Sequence, residues 1–139
     1  MNFWDASALI PLIVLEPQTE QCRNWYQEDP LVVCWAMTKL EILSALSRRA
    51  RQGILSNEEL IKSQHFLHKL SQHFHEVKDL YRVRFRAERL ILIHPIKSAD
   101  SQQLAAALVS TEEMPQGHRF LTFDIKLKEA ARKEGFSIL

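Results

Sequence analysis

Two apolar runs in this chain stop at an aspartate, and each is followed by a stretch that reads as a helix. Near the start, Asn2-Phe3-Trp4 ends on Asp5, and Ser7 opens a second apolar run from Ala8 to Leu15. Near the end, Arg119 to Phe123 runs into Asp124, ahead of a helical stretch from Lys126 to Lys133 that Gly135 closes. A strand that reaches its carboxyl end and turns into a helix is the half-unit of an α/β fold. Ligands of such folds gather beyond the strands' carboxyl ends. Ser7 is a candidate N-cap for the first helix. Pro11 falls just past that helix's first turn, where it removes a backbone hydrogen bond.

The same alternation fills the middle of the chain. Apolar positions 22, 25 and 26 suit a helix packed along one edge, and Pro30 ends that unit. Leu31 to Trp35 is continuously apolar and β-branched at its centre, the pattern of a strand buried on both faces. Thr38 with Glu41 fits a capping box, and Gly53 fits the stop of that helix. Arg48, Arg49 and Arg51 lie in its last turns, where they complement the helix dipole. Ser56 with Glu59 repeats the capping-box pattern and opens a helix that runs to about Phe74. Glu76 to Lys78 reads as a short strand and Asp79 to Ile93 as a helix. An Ala- and Leu-rich helix spans Gln102 to Ser110, with Ser98 or Asp100 near its start. Thr111 to His118 reads as a loop, and Phe136 to Leu139 as a last strand. The sum is an α/β layer fold with a mainly parallel central sheet flanked by helices. Right-handed crossovers would bring Asp5 and Asp124 to the same edge of that sheet.

Composition narrows the function classes. A length of 139 residues suits one domain. Eighteen basic against 17 acidic residues give a net charge of +1, so any nucleic-acid site must be a local patch and not a bulk field. No apolar run is long enough to span a bilayer, so no membrane partner is expected. An acid at position 5 without a basic leader argues against a signal peptide. Cys22 and Cys34 form no metal spacing; without an export signal they are expected as reduced thiols in a cytoplasmic protein.

Four acids stand where elements begin or end: Asp5, Glu41, Asp100 and Asp124. Each has a local explanation. Asp5 can be a turn acid, Glu41 can close a capping box, Asp100 can favour a helix dipole, and Asp124 can cap a helix. If the four converge, they form a pocket that cannot stay empty and fully ionised. Two like charges about 4 Å apart repel by roughly 4 kcal/mol at an effective dielectric near 20. Such a cluster takes up protons or binds cations, and oxygen donors select Mg²⁺ or Mn²⁺.

With these residues the chain resembles the PIN-domain ribonucleases, and within them the toxins of VapC-type toxin–antitoxin pairs. The anchors are Asp5-Ala-Ser7-Ala-Leu with Glu16-Pro17, then Glu41-Ile-Leu-Ser-Ala-Leu with the basic stretch to Gly53. Ala99-Asp100 with its Ala-rich helix and Leu121-Thr122-Phe123-Asp124 with Gly135-Phe136 complete them. The resemblance implies a three-layer PIN-like fold and a metal-dependent endoribonuclease. It implies that Asp5, Glu41, Asp100 and Asp124 are the catalytic metal ligands for Mg²⁺ or Mn²⁺, and that Ser7 and Thr122 support them. It further implies an RNA substrate, a homodimer, and a small cognate antitoxin whose tail covers the site. Trp4 is bulkier than the residue usual before the first acid, and the loop from Thr111 to His118 is long and polar; both are expected to bear on substrate fit.

Other features carry weaker signals. Arg48, Arg49 and Arg51 are candidate RNA contacts, as are the arginines from Arg82 to Arg89 and the basic residues Lys126, Lys128 and Arg132. Single clusters of this kind are usually solvated helix faces. His65 and His68 have helical metal spacing, but no cysteine accompanies them, and surface histidines are expected. A phosphotransfer site on Asp5 is disfavoured, since Ser7 stands where a second acid would be needed. The alternative to the nuclease is a catalytically silent PIN-like module that binds RNA or protein.

Overall fold

The computed structural model describes residues 1–139. Its elements run β1 (Asn2–Trp4), α1 (Ala6–Ile13), α2 (Thr19–Glu28), β2 (Val32–Trp35), α3 (Thr38–Arg51) and α4 (Asn57–Ser71). They continue with β3 (Phe74–Val77), α5 (Leu80–Ile93), α6 (Ser98–Ser110), β4 (Arg119–Leu121) and α7 (Ile125–Glu134). All strand pairs are parallel, in the order β3-β2-β1-β4. The chain builds outward from β1 to β3 and then returns to add β4 on β1's other side. The strand order therefore reverses at the β1–β4 boundary, where open α/β sheets form their ligand crevice.

Alternation along each strand feeds two cores. Phe3, Val33, Trp35 and Phe120 face one way and pack with α5, α6 and α7. Trp4, Val32 and Leu121 face the other way and pack with residues of α1 to α4. The sheet is thus the middle of three layers, as expected, and its central strands β1 and β2 are buried on both faces. Fully burying each large apolar side chain contributes roughly 1.5–3 kcal/mol. Trp4 belongs to this core: it is fully buried and meets Trp25 edge-on at a centroid distance of 6.3 Å. It is absent from the walls of the four principal cavities. No helix is long and apolar enough to cross a membrane.

Several local expectations change. The capping box at α4 forms as read: Glu59 N donates to Ser56 Oγ, and Ser56 N to Glu59 Oε1, both at 3.1 Å. The one expected at α3 does not form. Thr38 is already helical, Met37 precedes the helix without a side-chain cap, and the buried Thr38 hydroxyl is engaged by α6. Helix α4 stops at Ser71 and not near Phe74, because Phe74 pairs with Val32 and opens β3. The last strand reduces to one bridge, Arg119 with Ser137. Gly135 caps α7 at φ 109°, in the left-handed region. A Cβ there would also come within 3.1 Å of Pro115 Cγ, so the loop before β4 packs against this turn.

Candidate functional site

The crevice at the β1–β4 boundary is built on Asp5. Its amide donates to Leu121 O at 3.0 Å, which extends the β1–β4 ladder by one residue. Its side chain then caps α1, so Asp5 and not Ser7 is the N-cap. Ser7 has another task. Its hydroxyl donates to Asp5 Oδ2 at 2.6 Å and accepts from the Phe123 amide at 2.9 Å. The Thr122 hydroxyl mirrors it, donating to the same Oδ2 at 2.9 Å and accepting from the Asp124 amide at 3.1 Å. Two hydroxyls therefore tie the tip of β1 to the turn after β4. These bonds all fall on Oδ2, which leaves Oδ1 for a ligand. Burial raises the Asp5 carboxyl above its ordinary value, against the opposing pull of these hydrogen bonds.

Glu41 arrives from the first turn of α3. Its Oε2 accepts from Gln103 Nε2 at 3.2 Å, and the same amide nitrogen donates to Thr38 Oγ1 at 3.0 Å. Burial, helped by the charges of Asp5 and Asp100, pushes the Glu41 carboxyl up to about 7, while the Gln103 bond opposes this. Asp100, in the first turn of α6, is also raised, by burial first and then by the charges of Asp124 and Asp5. Asp124 caps α7 through its Oδ1, which accepts from the Leu127 amide at 2.8 Å. The four acids come from four separate stretches and line one cavity of about 490 Å³, together with Ser7, Ser44 and Arg48. Gln103 was missed in the sequence reading. Its signal was its position, three residues after Asp100 and so one turn along the same helix face.

The donor set is all carboxylate and hydroxyl oxygen, which suits a hard divalent ion and not zinc or copper. No three acidic, His or Cys side chains gather closely enough to hold an ion by themselves. The residues thus fit a cation that takes one or two carboxylates directly and keeps its water on the remaining positions, the usual habit of Mg²⁺. They do not form a closed cage.

Residues 3–133 match the PIN domain family. The chain belongs to that family. No curated protein matches the chain. PIN domains are α/β proteins and commonly nucleases, which places this chain among folds that act on nucleic acid.

Within this PIN domain the three arginines at the end of α3 separate. Arg48 is exposed and lines the acidic cavity. The Arg49 guanidinium instead pairs with Glu16 at 2.6 Å, tying α3 to the segment after α1. Arg51 donates to Ser47 on its own helix at 2.9 Å. His65, His68, His73 and His75 are exposed, as expected of surface histidines.

Proposed function

We propose that this PIN domain is a divalent-metal-dependent endoribonuclease and the toxin of a VapC-type toxin–antitoxin pair. The supporting observation is the convergence of four carboxylates at the sheet's reversal point, where burial, helped by the charges of Asp5 and Asp100, pushes Glu41 up to about 7. Asp5, Glu41, Asp100 and Asp124 would hold Mg²⁺ or Mn²⁺. When bound, such an ion supplies neutralisation of phosphate charge and a water of lowered pKa. The chain's own residues set the geometry. Ser7 and Thr122 fix the Asp5 carboxylate through one oxygen, and Gln103 fixes Glu41. Arg48, at the rim, meets the phosphodiester with a charge-assisted hydrogen bond. No histidine or lysine lines the cavity, so no separate general base is assigned.

The choice of RNA, and the toxin role, rest on the residue-level resemblance around the four acids. On this reading residues 1–139 act as one cytoplasmic domain, pair with a second copy, and are silenced by a small antitoxin. A groove of about 380 Å³ between the end of α1 and α4, with Leu15 and Ile54 exposed at its edges, offers apolar surface for such a partner.

The test is cleavage of total cellular RNA in Mn²⁺ or Mg²⁺ by the wild type and by Asp5→Asn. Discrete cuts by wild type are expected, and they vanish with chelator or with the substitution. Calorimetry tests the site apart from cleavage. Equal metal uptake by wild type and Asp5→Asn would remove the four-acid site.

A further inference from the structure

A second cavity opens on the other side of the first turn of α6. Ala99 and Asp100 line the acidic cavity, whereas Ser98, Ser101 and Gln102 line this one. One helical turn thus serves both, contributing to each wall. The opposite wall is α5. The volume is about 280 Å³, just below the ~300–1,000 Å³ of small-ligand pockets, which leaves room for one planar group.

The lining has an apolar floor and a polar rim. Trp35, Val83 and Ala87 form the buried floor. Arg84, Glu88 and Gln102 stand at the rim. Gln102 is held at both ends. Its Oε1 accepts from the Trp35 indole N–H at 3.3 Å, and its Nε2 donates to Ser98 Oγ at 3.4 Å. A primary amide has two donor hydrogens and two acceptor positions, so one of each remains free. A donor beside an acceptor is what the edge of a nucleobase requires. The Glu88 carboxylate adds an acceptor suited to an exocyclic amine.

The approach to the cavity is cationic and aromatic. The Arg84 guanidinium lies 5.0 Å from the Tyr81 ring centroid. Tyr81 and Phe85 are 70% and 78% exposed on the same helix. Of the α5 arginines only Arg86 is in an ion pair; Arg82, Arg84 and Arg89 are exposed without one. Guanidinium planes and aromatic rings are surfaces on which unstacked RNA bases rest, and unpaired arginines suit phosphates.

We propose that this cavity receives one unstacked base bearing an exocyclic amine, next to the nucleotide whose phosphate enters the acidic cavity. The inference rests on reading the acidic cavity as an RNA site. It makes the α5–α6 cavity a specificity element of that site.

The experiment measures binding of fluorescein-labelled A₆, C₆ and U₆ ribonucleotides to the full chain by anisotropy, in Ca²⁺ to neutralise the carboxylates. A₆ and C₆ are expected to bind at least about fivefold more tightly than U₆, the scale of one good base contact. Ile91 also lines the cavity; Ile91→Trp, which fills it, and Glu88→Ala, which removes the acceptor for the exocyclic amine at an exposed position, should each erase that preference. A preference unchanged in both variants, or no binding of any hexamer by wild type, overturns the proposal. So does an Ile91→Trp protein whose oligomeric state changes while its hexamer affinities do not; the cavity would then belong to a protein contact. Failure of the nuclease reading is distinct from all of these: the base preference would stand while Mn²⁺-dependent cleavage of total RNA was absent.

Discussion

Asp5 is 5% exposed and would be costly to ionise without the hydroxyls of Ser7 and Thr122. Hydrogen bonds to charged groups contribute about 1.5–3 kcal/mol. Thr122→Val removes one such bond and strips the Asp124 amide of its acceptor. It should lower unfolding free energy by about 1–3 kcal/mol in denaturant titration and weaken Mn²⁺ uptake in calorimetry. Full retention of both would show that Thr122 does not hold the acid. Glu41 makes a second prediction. Free of divalent ions, the folded chain holds its proton up to about pH 7, whereas the unfolded chain releases it near its ordinary value of 4.5. Its contribution to stability is therefore fully present below the unfolded value and is lost as pH rises through the folded one. Asp5 and Asp100, also raised, tilt the profile the same way. A divalent ion binds only the ionised carboxylates, so its stabilising effect grows as pH rises through the same window. Thermal melts from about pH 5 to about pH 8 in EDTA should fall toward high pH. In Mn²⁺ the fall should shrink or reverse, and Glu41→Gln should flatten the EDTA profile. Identical EDTA slopes for Glu41→Gln and wild type would refute the assignment.

At the scale of elements, two serine/threonine starts that look alike in sequence behave differently. Ser56→Ala removes a true cap and should cost about 1 kcal/mol in chemical unfolding, with metal uptake unchanged. Thr38→Val should cost the Gln103 amide one of its two oxygen partners and so loosen Glu41, reducing metal uptake in calorimetry. The reverse pattern would mean that Thr38 is only a helix start. The difference was not legible locally, because Gln103 lies 65 residues away from Thr38 and packing alone brings them together. Ser7 misled for the same reason. Both Asp5 and Ser7 are good caps by type, and only a partner 115 residues on, Thr122, draws Ser7 into another role. The His94 pair with Glu134 at 2.7 Å, flanked by Arg86, was equally hidden. What was legible followed from pattern. The apolar run at β2, the stops at Gly53 and Gly135, and the four acids at element ends all signal locally. Element ends at Ser71 and at Ser137 were not, since β3 and the terminal bridge are fixed by partners across the sheet.

For the whole molecule, a net charge of +1 has a consequence for any RNA complex. There is no broad positive field, so affinity must come from the few cations that meet phosphates directly. For single strands, log affinity falls with log salt with a slope near −0.7 per phosphate neutralised. Arg48 together with two or three arginines of α5 gives an expected slope of about −2 to −3. Arg48→Ala should reduce its magnitude by about 0.7 in anisotropy titrations of labelled single-stranded RNA between low and moderate KCl. Arg49→Ala separates charge at the site from charge elsewhere. Its guanidinium is committed to Glu16, so its loss should lower the melting temperature and leave the salt slope unchanged. The two substitutions alter net charge identically and lie side by side in α3. Equal effects on the slope would therefore mean that the molecule binds RNA through its overall charge. A change confined to Arg48 would place the phosphate at the mouth of the acidic cavity.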